Sequence, residues 1–256
     1  MWTAAAVASV RSASVLLTVS AAIVALNFFT ELSGRSSGAG TTSTFVWCYL
    51  AFAAHSVVLK NTAGFATSGT GWQMFRFIWR TIVLSVIPAL VIIPILLSGV
   101  NAESDTPKEV MILAALLVAM PLFLIEFALF GTMLPAVVMD RGYGIGRTLK
   151  RGLKTFFGTA GRLIIGPGLM MLIAVGFYTF FPHTGDAMLI SEQGEIQTFN
   201  LIPEIITTLI FAYSTVLTAV VLSKAYITGE EKLGPSDNSA SAEPPKQEPT
   251  VADSGS

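Results

Sequence analysis

Apolar runs of roughly 20 residues, separated by short stretches where the charges collect, dominate this chain. An α-helix rises 1.5 Å per residue and needs about 20 apolar residues to cross a ~30 Å hydrocarbon layer. Lipid offers its backbone N–H and C=O groups no partner outside the helix itself. Six runs meet that requirement: residues 12–29, 43–59, 81–100, 110–139, 163–181 and 201–227. The fourth is longer than a bilayer needs, so it must tilt, bend at Pro121 or Pro135, or project into water. The pattern predicts an all-α integral membrane protein with about six transmembrane helices in a domain over residues 1–228. The Gly, Pro, Ser and acidic content of 229–256 predicts a disordered acidic cytoplasmic tail.

The first run reads as a retained span rather than a cleaved signal. It exceeds the ~7–15 residues of a signal core, and Asn27-Phe28-Phe29-Thr30-Glu31 puts bulky residues where a small-residue cleavage site would fall. Orientation follows from the cations, because basic flanks resist translocation. One set of alternate loops holds Arg11; Lys60, Arg76 and Arg80; Arg141, Arg147, Lys150, Arg151, Lys154 and Arg162; and Lys224 and Lys232. The other holds only Arg35 and Lys108 beside Glu103, Asp105, Glu109, Asp186, Glu192 and Glu195. The basic set is therefore expected in the cytoplasm, with both termini inside. The formal net charge of -1 hides this asymmetry.

Two basic stretches have helical amphipathicity and are expected as interfacial helices. In the segment 143–165, Ile145, Leu149, Leu153, Phe156, Phe157, Ala160, Leu163 and Ile164 fall in one sector, with Arg147, Lys150, Arg151, Lys154 and Arg162 opposite. Its glycines at 146, 152, 158 and 161 weaken it and allow a break before the fifth span. In 69–80, Trp72, Met74, Phe75, Ile78 and Trp79 oppose Gln73, Arg76 and Arg80, while Phe77 is off the pattern. Cations beside anionic headgroups contribute about 1 kcal/mol each, which makes Arg76, Arg80, Arg147, Lys150, Arg151 and Lys154 the candidate lipid-binding residues. The stretches VVLKNTAGF from Val57 and VVMDRGYGI from Val137 align without gaps, and each leads through a basic stretch into a run with a proline, Pro88 or Pro167. That reads either as an internal repeat or as the common form of any span followed by a basic loop.

Residues 130–172, with Leu134-Pro135-Ala136-Val137-Val138 followed by the basic stretch from Arg147 to Arg162, resemble bacterial multispan proteins of the YciC-like inner-membrane family and the membrane domain of some glycerophosphodiester phosphodiesterases. The resemblance implies a span followed by a basic surface helix. It carries over no catalytic residue.

Inside the runs the chemistry is sparse. Glu126 lies near the middle of the fourth, where a charge costs about 2.5–3.5 kcal/mol. Such a carboxyl faces other helices, either bonded to a neighbouring Ser, Thr, Tyr or His as packing, or as a site for a proton or cation. His55 lies about one and a half turns from Lys60, shallow enough for interfacial water, and is expected as a satisfied structural histidine or as a second member of that site. Cys48 is the only cysteine, and no phosphate loop, zinc-ligand spacing or nucleophile elbow occurs. No catalytic residue, metal or cofactor is expected, and the chain reads as non-enzymatic. The leading reading is a membrane-organising protein or accessory subunit that contacts anionic lipids and a protein partner in the membrane, without nucleic acid. The alternative is a small transporter or channel with Glu126 as its intramembrane proton or cation site.

Overall fold

The computed structural model describes residues 13–33, 39–61, 71–101, 108–141, 144–180 and 196–234, together with Val7 and Leu189. The helices are α1 (Ala13–Ser33), α2 (Ala39–Lys60), α3 (Gly71–Asn101), α4 (Lys108–Phe130), α5 (Met133–Val138), α6 (Ile145–Leu163), α7 (Leu169–Phe180) and α8 (Thr198–Leu233), with a π-helical turn, Ile164–Gly168, between α6 and α7. Among the described residues no sheet forms. Among the described residues six stretches are long and apolar enough to cross a membrane, which makes this a multi-pass α-helical membrane protein. Of the expected tail, residues 235–256 lie outside the described residues.

The long α8 is the hub, packing on α1, α2, α5, α6 and α7. Ala212, Val216 and Val220 recur at one-turn spacing and meet Val15, Val19 and Ile23 of α1 and Leu50, Ala53 and Val57 of α2. Small and β-branched side chains let the backbones approach, as association between helices in lipid requires. A second cluster joins Phe52, Phe77, Leu134, Val137 and Leu222. Phe77, off the outward aromatic pattern, is the residue α3 turns inward, edge-on to Phe52 with ring centroids 5.4 Å apart. Trp72, Phe75 and Trp79 remain exposed on the other face.

The fourth run is not one continuous helix. Pro135 has no N–H to offer the Gly131 carbonyl, and Leu134 N donates to it instead at 3.1 Å, tightening the chain into a turn between α4 and α5. Every residue from Gly131 to Val138 is buried, as irregular backbone within a membrane domain must be. By contrast, the expected break among the glycines of 146–161 is absent. α6 runs through all four, and the irregularity falls at Pro167, where a wider π turn accommodates the missing N–H. Nor does α6 lie apart from the spans. Arg151 pairs with Glu230 and the Pro167 carbonyl accepts from Ser214 Oγ at 3.3 Å, so α6 and its continuation run antiparallel along α8.

The two aligned stretches both leave their helices through a left-handed residue, Asn61 (φ 54°) and Asp140 (φ 52°), residue types that tolerate that conformation. They are one position out of step, since the gapless alignment pairs Lys60 with Asp140. Helix α8 also starts before and ends after the run 201–227, reaching Leu233 and taking in the first residues assigned to the tail.

Candidate functional site

Three places among the described residues gather the polar side chains that bear on function. The first is Glu126, one turn before the end of α4, whose side chain is buried and whose two carboxylate oxygens have no hydrogen-bond partner among the described residues. Among the described residues no Ser, Thr, Tyr or His side chain bonds to it. Several hydroxyls along the helices donate to the carbonyl one turn back, as Ser56 does to Phe52 and Thr155 to Arg151, while those of Ser20, Thr132 and Thr207 have no partner among the described residues. Ionised, Glu126 has no such escape, because a carboxylate only accepts. It also sits at the carbonyl end of α4, where the helix dipole favours positive charge.

The second place is the contact of α2 with α8. His55 is 1% exposed, so it meets no interfacial water; its Nδ1 shares a hydrogen bond of 2.8 Å with the Ser223 hydroxyl and its ring lies against Phe77. No hydrogen bond joins it to Glu126, whose oxygens are unpartnered.

The third is a charge cluster where α6 meets the end of α8. Arg147 Nε donates to Glu230 Oε1 at 3.1 Å and its Nη2 to Glu230 Oε2, while Arg151 Nη1 reaches Oε1 at 2.5 Å. Arg151 also donates to Thr148 Oγ1 at 3.1 Å and stacks over the Tyr226 ring at 4.8 Å. Lys154 Nζ donates to the Lys232 carbonyl at 2.8 Å, placing a cation at the negative end of α8. Glu230 lies past the 201–227 run, and the Arg147 hydrogen bond, followed by that of Arg151, holds its carboxyl below the ordinary value of 4.5 against the opposing effect of burial.

These contacts revise two of the six lipid candidates. Arg151 has no exposed surface and cannot meet a headgroup, and Arg147 is committed to Glu230. Arg76 forms an ion pair with Asp140 at 3.0 Å, Arg80 is half-buried and engaged within the protein, and Lys150 and Lys154 are exposed. On α6 the buried face is Thr148, Arg151, Gly152, Thr155, Thr159 and Leu163, while Ile145, Leu153 and Phe157 point outward. A Cβ at Gly152 would collide with the Leu129 backbone, so α4 and α6 touch main chain to main chain there.

Glu230, Ser223 and Tyr226 were not singled out from the sequence, and Gly152 was read there only as one of four glycines that weaken the helix. Glu230 sits among acidic tail residues with nothing local to mark its partners, 79 and 83 positions away. Glu204 lies in the second turn of α8 and accepts from Asn27 Nδ2 of α1 at 2.7 Å. Among the described residues no three His, Cys, Asp or Glu side chains gather as metal ligands. No family model, curated protein or solved structure matches the chain.

Proposed function

We propose that this chain is a small membrane transporter or channel for protons or a monovalent cation, with Glu126 as the intramembrane site. One observation carries the reading: a buried carboxyl at the carbonyl end of a broken helix, with no partner among the described residues. One carboxylate is neutralised by one proton or one monovalent cation, and broken helices in transporters present their carbonyl ends to such ions. Successive spans run in opposite directions, so the Leu129–Gly152 contact puts Thr155 level with Glu126. Thr155 spends its proton on the Arg151 carbonyl, leaving oxygen lone pairs for a cation. The working orientation has both termini on the basic, cytoplasmic side of a bacterial inner membrane, and the reading needs no chemical reaction and no cofactor. Kinship with the YciC-like proteins is part of the proposal, carried by residues 130–172 alone.

The test is flux into proteoliposomes under an imposed potential, read with an entrapped pH dye and, separately, with sodium or potassium tracer. Wild type is expected to exceed empty liposomes for one ion. Glu126→Gln should fall to the empty-liposome rate while inserting normally; equal flux from wild type and variant would overturn the reading.

A second reading, an organising or accessory protein on anionic lipid, is favoured by the outward apolar face of α6 beside exposed Lys150, Lys154 and Arg162. Under it, replacing those three cations with Gln lowers binding to anionic vesicles, and Glu126→Gln changes nothing.

A further inference from the structure

We infer that the groove between α1 and the first half of α8 holds one acyl chain of a phospholipid whose headgroup ends in an ammonium group. The groove has a volume of about 430 Å³ and is walled by Leu17, Ala21, Val24 and Phe28 on one side and Ile205 and Leu209 on the other. Ser20 is the one polar residue of its lining. Both walls belong to stretches fit to cross the bilayer, so the mouth opens on hydrocarbon rather than water.

Depth and charge select the occupant. From Leu17 to Asn27 along α1 is ten residues, about 15 Å at the helical rise, which matches one leaflet of a ~30 Å hydrocarbon layer. At the Asn27 end two carboxylates stand beside the lining, Glu204 next to Ile205 in the chain and Glu31 beyond Phe28 and Phe29. Glu204 accepts from Asn27 at 2.7 Å, and Glu31, exposed and one turn beyond Asn27 on the same face of α1, accepts from Leu189 N at 2.6 Å. Residues one turn apart have Cβ atoms roughly 5–6 Å apart, so both acids share one rim. An acyl chain in the groove puts its headgroup at that rim, where an ammonium is attracted and an anionic glycerol headgroup gains nothing.

The full-length protein is reconstituted in nanodiscs of equal phosphatidylethanolamine and phosphatidylglycerol, released, and its retained lipid identified by native mass spectrometry. Wild type is expected to keep one phosphatidylethanolamine, favoured about fivefold over phosphatidylglycerol, the effect of roughly one surface charge. Glu31→Gln with Glu204→Gln should keep a lipid but lose the preference. Ala25→Trp, which fills the groove, should lose the lipid, and Ala21→Phe serves if that variant misfolds. Leu90→Trp, on the exposed face of α3, should retain it. Retention of phosphatidylglycerol equal to that of phosphatidylethanolamine by wild type, or an unchanged lipid in both groove-filling variants, would overturn the inference. Glu126→Gln should keep the lipid, so a failed flux experiment leaves this proposal standing and the converse also holds.

Discussion

Arg151 is the residue whose surroundings say most about how this protein holds together. A guanidinium with no exposed surface is tolerated because Glu230, Thr148 and the face of Tyr226 replace most of its water shell, leaving Nε without a partner among the described residues. Glu230→Gln leaves that cation buried without its counter-charge, and the loss should be about 3 kcal/mol, the low end for a broken buried pair because Glu230 is itself 28% exposed. Thermal unfolding in detergent checks this. The pH dependence has a definite sign. Glu230 has a folded-state pKa held below 4.5, so its contribution is complete above that value and fades as pH falls through the folded pKa. Wild type should therefore lose melting temperature below about pH 4.5, more steeply than Glu230→Gln; parallel curves would show that the cluster does not govern acid stability. Glu126 raises the opposite problem at the same scale, an acid left without the partner that Arg151 was given. Its Gln variant should keep the fold while abolishing flux.

At the scale of elements, α6 joins the cluster to the interior. One side of it carries Arg147 and Arg151 to the end of α8, and Gly152 lays it against α4 a turn from Glu126. Its glycines are therefore not equivalent. Gly158 has open space where a Cβ would go, and Gly158→Ala should stabilise the helix by up to about 1 kcal/mol through propensity alone. Gly152→Ala forces α4 and α6 apart, with an overpacking penalty of about 1–3 kcal/mol or more. Melting temperatures of the two variants should move in opposite directions; a shift of the same sign would mean that α6 does not dock on α4 through Gly152. The unwound turn between α4 and α5 belongs to the same design. Pro135 removes a donor, and the burial of Gly131 beneath Leu222 shields the resulting irregular backbone from lipid.

For the whole molecule, the two ends differ in kind. Glu31 and Glu204 gather at one end of the bundle and Arg147, Lys150, Lys154 and Arg162 towards the other, and 26 residues of α8, about 39 Å, separate Glu204 from Glu230. Cys48 is the only cysteine and is buried, so single introduced cysteines report topology cleanly. An impermeant maleimide applied to intact cells should label Glu31→Cys and spare Lys150→Cys; the reverse pattern would invert the orientation proposed from the loop cations. The six spans, the charge asymmetry and the exceptional position of Glu126 were legible from the sequence alone. Lipid sets a length and a polarity for each crossing helix, and both are local properties of the chain. Which polar groups meet was not legible. Pairing Arg151 with Glu230, His55 with Ser223 and Glu204 with Asn27 depends on how helices far apart in the chain pack around α8, and no local spacing encodes that. The same packing left Glu126 without a partner among the described residues and turned Arg151 away from the lipid, two outcomes that only the folded bundle could decide.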